Sequence, residues 1–241
     1  MALIHIIIPA AGFGSRMGIT IPKQYLDLAG QPVIAHTLNV FLNCSRISSV
    51  NLVLNNEDTV FKNLECTKHS KLSVYYAGGE TRAGTVLNGL QAIKNKVSED
   101  DWILVHDAAR PCLSAALLNN LLDDLQEDAV GGLLAIPLAE TLKRADSNNK
   151  VSRTESRENL WQAQTPQMFR YAILNQALDR FNQFNAVPTD EAQAIEALGY
   201  APTLVRGDLR NIKITYPPDL ELAKLIINAE LKLNVKKEST S

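Results

Sequence analysis

The chain offers no disulfide framework: its three cysteines, Cys44, Cys66 and Cys112, stand far apart and form no CxxC pair. Neither stapled loops nor a zinc site is suggested, and the three read as reduced structural thiols of a cytosolic protein. Charge of one sign is missing too. The formal net charge is −2 with Lys and Arg scattered throughout, so there is no footprint for nucleic acid or an anionic membrane. The longest apolar runs are a handful of residues, and the N-terminus lacks the basic stretch and apolar core of a signal peptide. Histidine is scarce, with only His5, His36, His69 and His106, and no catalytic triad or nucleophilic cysteine is evident. Together these absences lead to the expectation of a cytoplasmic protein with a small-molecule partner, no nucleic acid and no membrane.

What is present suffices for a core. Apolar residues make up 46 % and charged residues 21 % of 241 residues, which predicts a single domain over 1–241 with disorder confined to the tail "KKESTS". Strand-like runs fall at Leu3–Ile8, Val50–Leu54, Ser73–Ala77, Trp102–His106, Val130–Pro137 and Thr203–Val205, most of them separated by helix-periodic segments. This alternation predicts an α/β fold, a mostly parallel sheet covered by helices. Phe169, Ala172, Ile173, Ala177 and Phe181 share one helical face, "LLNNLLDDL" repeats the pattern, and a last helix starts at "PPDLELAKLII". One stretch breaks the alternation: residues 140–161 are polar, alternate in charge and contain "DSNNK", which predicts a hairpin too polar for a core.

"PAAGFGSRMG" follows directly on the apolar "LIHIII". A phosphate-binding turn is the obvious reading, yet both familiar fingerprints fail. No Gly-Lys-Ser/Thr follows Gly12 and Gly14, and the third glycine of G-x-G-x-x-G would fall at Met17. Pro22 stands where a phosphate-binding helix should already be running. The loop is therefore expected to wrap its ligand as an extended segment, its backbone N–H groups close to phosphate oxygens and Arg16 and Lys23 supplying positive charge at either end. A second cluster, "ILVHDAARP", sets His106 and Asp107 at the carboxyl end of a strand, where open α/β sheets place ligands. A carboxylate facing a triphosphate there has one evident use, holding Mg²⁺ through oxygen. Arg110 is placed to pair with Asp107 or to reach a phosphate. His106 is expected to point away from Asp107 and to be structural.

"PAAGFGSRMG…PKQYL", "GGETRAGTVLNGL", "HDAARP", "LWQAQTPQ", "TDEA" and "NIKIT", in that order across nearly the whole chain, resemble the 2-C-methyl-D-erythritol 4-phosphate cytidylyltransferase family. The resemblance implies a three-layer, Rossmann-like nucleotidyltransferase fold with a projecting β-hairpin arm. It also implies CTP and 2-C-methyl-D-erythritol 4-phosphate as substrates, Mg²⁺, and a homodimer held by arms at about 138–160. By the same resemblance Ala10, Ala11, Gly12, Phe13 and Gly14 wrap CTP, Arg16 and Lys23 contact its phosphates, and Asp107 ligates the metal. Base contacts fall on Ala10, Ala11, Gly79 and Thr85. Family members usually carry Asp-Ser where Gly84 and Thr85 stand, so the hydroxyl is kept. Sugar-phosphate contacts match Arg110, Thr165, Thr189 and Lys213, with Arg157 delivered from the partner subunit's arm.

That reaction accounts for the missing general base. The attacking phosphate monoester has its second pKa near ~6 and is already an anion at neutral pH. What remains is to bring two polyanions together and to stabilise the charge spreading over the α-phosphate. Read without the resemblance, Thr189 is an N-cap for "DEAQAIEALG" and Lys213 a solvated lysine on a short strand-like run. Two other functions are compatible with parts of the pattern. One is a cytidylyltransferase for another polyol phosphate, such as ribitol 5-phosphate. The other is a nucleotide sensor without chemistry, against which the presence of Arg16, Lys23 and Asp107 argues.

Overall fold

The run "IHIIIPA" alternates its side chains between two apolar layers, and the rest of the fold follows from that. In the computed structural model, which describes residues 2–12 and 21–238, this run is strand β1 (Ile4–Ala10). Its parallel neighbours are β4 (Ser49–Leu54) and β6 (Trp102–Val105). Successive strand residues face opposite ways. Ile6 and Ile8 therefore enter a core built with α1 (Val33–Leu42) and α3 (Ala115–Leu125), while Ile7 enters a second core with α2 (Arg82–Ile93), α4 (Tyr171–Gln183) and α5 (Glu191–Glu196). A strand covered on both faces favours apolar residues throughout, and the polar exceptions, His5 in β1 and Asn51 in β4, are buried with partners, His5 beside Ser49 and Asp101 and Asn51 on the Ile6 carbonyl.

Strand β5 (Leu72–Tyr76), β7 (Gly131–Pro137), β10 (Trp161–Arg170) and β11 (Thr203–Arg206) complete a seven-stranded sheet of order β11-β7-β10-β6-β1-β4-β5. Only β10 runs antiparallel to its neighbours. A short hairpin of β2 (Asp27–Leu28) and β3 (Gln31–Pro32) leads into α1, and α6 (Pro217–Glu238) packs Ala223 and Ile227 against Leu28, Val33 and Ala109. From β1 the chain moves to β4 on one side, whereas β6 lies on the other. That reversal opens a crevice at the carboxyl ends of β1 and β6, the usual ligand position of such sheets.

The polar stretch forms the expected hairpin, β8 (Leu142–Ala145) and β9 (Val151–Glu155), as a separate two-stranded sheet with mostly exposed side chains. Two expectations are corrected, and one strand that the sequence pattern does not show is added. Phe169 lies on β10, not in a helix, and α4 begins at Tyr171. The run "WQAQTPQMFR", with a proline in its middle, is a strand nonetheless. Pro166 falls where pairing with β7 is interrupted between Ala163 and Gln167 and before pairing with β6 begins, so no ladder bond needs its missing N–H. The final helix runs to Glu238, which takes the first half of the tail into regular structure.

Candidate active site

The crevice holds a cleft of about 560 Å³. Ala10, Ala11 and Gly12 form one wall at the end of β1, and Gly79, Thr81, Arg82 and Thr85 another at the start of α2. Lys23, Asp107 and Lys213 face it as well. Phe13, Gly14 and Arg16 lie outside the described residues. The Gln24 side chain, buried, donates to the Ala10 carbonyl at 3.0 Å and so fixes where the glycine loop leaves the strand. Beside it Lys23 Nζ donates to the Ile214 carbonyl at 3.0 Å.

The second wall is set by a close approach of backbone to backbone. The Gly79 N–H donates to Thr85 Oγ1 at 3.1 Å, and that hydroxyl donates onward to the Thr81 carbonyl at 2.9 Å. A Cβ on residue 79 would lie 2.7 Å from the Gly84 carbonyl carbon and 2.9 Å from the Thr85 nitrogen, so only glycine fits. A Cβ on residue 84 would come within 3.2 Å of Thr81 Oγ1, the cap of α2.

Asp107 carries the electrostatics. Its Oδ1 accepts from Arg82 Nε at 2.7 Å, its Oδ2 lies 2.6 Å from Lys213 Nζ, and Arg110 Nε stands 3.8 Å away. Burial by itself would raise the carboxyl. Arg82, Lys213 and Arg110 outweigh it and hold Asp107 well below the usual carboxylate range, so it is ionised at any working pH. Arg82 turns its other two nitrogens to the buried Glu191, at 2.7 and 3.0 Å.

His106 holds Asp107 from behind. Burial pushes the imidazole down to about 4, so it is neutral. Its Nε2 faces the Arg110 carbonyl at 3.1 Å, and a carbonyl only accepts, so Nε2 carries the hydrogen. Nδ1 must then accept from the Thr165 hydroxyl at 3.0 Å, and the same oxygen accepts the Asp107 N–H at 3.1 Å. His106 is thus a structural part of the turn, as the sequence suggests, and Thr165 ties β10 to the backbone of Asp107. Arg110 completes the turn through Nη1 to the Asn211 carbonyl at 2.7 Å.

The remaining candidates are spread more widely. Lys213 is not on a strand; it lies in irregular chain before α6 and is paired to Asp107 rather than solvated. Thr189 is exposed, and the cap of α5 is its neighbour Asp190, whose side chain accepts from Gln193 N at 2.9 Å. Arg157 stands exposed beyond β9 and donates to the Ala139 carbonyl. Arg110, Thr165, Thr189 and Arg157 do not line the cleft in the single chain. Burial pushes the Cys112 thiol up to about 12, which removes it as a nucleophile. Arg82 and Glu191 are additions that the sequence reading lacks. A signal existed for Arg82: an arginine in the first turn of a helix opposes the helix dipole and needs a reason to be there.

The comparisons with known proteins agree with this fold. Residues 4–229 match the family described as 2-C-methyl-D-erythritol 4-phosphate cytidylyltransferase. The chain is 55 % identical to the protein of that name from Nitrosospira multiformis over 224 residues, 92 % of this chain and 96 % of the relative. It is 52 % identical to the one from Dechloromonas aromatica, over 93 % and 97 % of the two chains. Among solved structures, a 4-diphosphocytidyl-2C-methyl-D-erythritol synthase superposes with a TM-score of 0.83 at 38 % identity, over 94 % of this chain and all of that one (100 %). The Francisella tularensis 2-C-methyl-D-erythritol 4-phosphate cytidylyltransferase gives 0.80 at 36 % identity, over 93 % and 100 %.

Proposed function

The chain belongs to the 2-C-methyl-D-erythritol 4-phosphate cytidylyltransferase family, and from that premise we propose how its cleft divides the family's reaction among its residues. The enzyme transfers the cytidylyl group of CTP to 2-C-methyl-D-erythritol 4-phosphate, giving 4-diphosphocytidyl-2-C-methyl-D-erythritol and pyrophosphate. The observation that carries the reading is Asp107, an ionised carboxylate at the switch point of the sheet, facing the glycine loop and ringed by cations.

Ala10, Ala11 and Gly12, continued by Phe13 and Gly14, wrap the triphosphate, and Gly79 and Thr85 frame the cytosine. Lys23 and Arg16 neutralise charge at the α-phosphate. Lys213 and Arg110, both oriented by Asp107, receive the sugar phosphate together with Thr189, while Thr165 supports them from behind by holding the Asp107 backbone. The attacking oxygen is already anionic, so these residues position and neutralise and none need take a proton.

A divalent metal fits this donor set. Among the described residues no cluster of three or more His, Cys, Asp or Glu could hold one. Mg²⁺, however, commonly binds through one or two carboxylates with substrate phosphates and water completing its shell. Asp107 meets that need, since each carboxylate oxygen has a lone pair beyond the one given to Arg82 or Lys213. Bound there, Mg²⁺ supplies positive charge to the phosphates of CTP. The hairpin β8–β9 is a dimer arm, because a lone two-stranded hairpin is marginal in water and an exposed Val151 asks for cover. The chain works as one domain. No described helix is long and apolar enough to cross a membrane, in keeping with a cytoplasmic enzyme.

The test is pyrophosphate release with CTP, ATP, GTP and UTP, each paired with 2-C-methyl-D-erythritol 4-phosphate and with ribitol 5-phosphate. Turnover is expected for CTP with the methylerythritol phosphate alone. Preference for ribitol 5-phosphate, or no release with any pair, overturns the reading.

A further inference from the structure

Arg82 has two acidic partners, and they are not equivalent. Glu191, the first residue of α5, is fully buried and takes both terminal nitrogens of the guanidinium, at 2.7 and 3.0 Å. Asp107, on the cleft, receives only Nε at 2.7 Å. A guanidinium favours a two-point grip on a carboxylate. In this site the two-point grip falls on the carboxylate that is sealed from the ligands, and the one that faces them receives only one nitrogen of the guanidinium. The reaction as described needs Asp107 and gives Glu191 no task.

We propose that Glu191 is a positioning residue that holds the Arg82 fork away from Asp107, leaving a free lone pair on the Asp107 carboxylate for the divalent metal and one cation fewer to oppose it. The charges make the case. Asp107 stands among three cations, Arg82, Lys213 and Arg110. Glu191 cancels one of them. Without its charge, Arg82 closes as a two-point pair on Asp107, takes up the lone pair the metal would use and leaves one more uncompensated cation beside the metal site. The effect is local in geometry but long in sequence, since Arg82 and Glu191 are 109 residues apart. A purely structural clamp, fastening α5 to α2, would use the same contacts without touching the metal.

This inference rests on the reading of Asp107 as metal ligand, and the experiment separates the two. CTP binding is measured by calorimetry in EDTA and again in Mg²⁺, without sugar phosphate so that no reaction occurs. The ratio of the two dissociation constants reports what the metal adds, and general damage to the cleft cancels from it. In Glu191→Gln the ratio should fall by about tenfold, the usual effect of losing a group that orients a metal ligand. In Glu191→Gln with Arg82→Met the competing fork is gone, and the ratio should return to within about threefold of the parent, a coupling of opposite sign to additive damage.

A structural clamp gives a different pattern: the ratio stays at the parent value in the single variant, or the double variant is as poor as the single. Either result overturns the proposal. Asp107→Asn calibrates the ligand: if its ratio equals the parent's, the metal assignment falls and this inference with it. If Asp107→Asn loses the ratio while Glu191→Gln keeps it, only this inference falls. Should thermal melting show that Glu191→Gln does not fold, the double variant decides, because a ratio as low as that of Asp107→Asn refutes competition by Arg82.

Discussion

Asp107→Asn keeps the shape of the turn and removes one charge, so its consequences follow from the ion contacts alone. Losing one partner of a buried pair typically costs ~3–5 kcal/mol. Here the figure must be reduced, because the Lys213 and Arg82 side chains are 34 % and 28 % exposed and Arg82 keeps Glu191. We expect a loss of about 1–3 kcal/mol at pH 7, read as a lower midpoint in urea with an unchanged slope. The pH dependence carries a definite sign. The folded carboxyl lies well below its unfolded value, so its contribution is complete above an unfolded pKa of ~3.9 and fades as the unfolded chain takes up a proton below that. By pH ~3 the gap between parent and variant should have narrowed by about 1.3 kcal/mol. The Mg²⁺ concentration for half-maximal turnover should rise in the same variant and activity should fall strongly. A variant as stable as the parent at pH 7, with an unchanged Mg²⁺ titration, would refute both the charge balance and the metal role.

Lys23→Ala and Arg16→Ala should each lower turnover by at least ~10²-fold with folding intact, and rates within a few-fold of the parent would show that the glycine loop does not carry the chemistry. Gly79→Ala should weaken CTP binding by about tenfold, because the added Cβ meets backbone atoms that cannot yield, and an unchanged affinity would mean that the turn is not part of the base site. If Arg157 acts in the partner's site, mixing Arg157→Ala and Lys23→Ala chains should restore about a quarter of parent activity by random pairing. No recovery, with subunit exchange verified, places Arg157 in its own chain's site.

Where side-chain chemistry and position along the chain point the same way, the sequence shows the fold. Strands β1, β4 and β6 are apolar because both their faces are covered, and their limits fall within two residues of expectation. The arm is legible for the opposite reason: residues 140–161 have too few apolar positions to be buried. Strand β10 is hidden because Pro166 argues against a central strand, and only the pairing on both sides shows that the proline sits in a gap of the ladder. Phe169 fits a helical face by spacing because a strand leading straight into a helix places its last apolar residue against the same core.

The site divides along a related line. The glycine loop and "HDAARP" are legible because each is one short segment whose chemistry is complete in itself. Lys213 and Glu191 are not. A lysine in a polar segment reads as solvated, and a glutamate just after an N-cap aspartate reads as ordinary helix-start charge. Their roles come from where the fold sends them: Lys213 Nζ to 2.6 Å from Asp107, and Glu191 to the far side of Arg82. An ionised Asp107 would repel the phosphates in the cleft if its charge were left unbalanced. Two of its neighbouring cations, Arg82 and Lys213, are held by segments more than twenty residues away in sequence from it. A local motif thus names the carboxylate, while the balance that makes it usable is a property of the folded chain, set by groups whose individual sequence contexts are unremarkable.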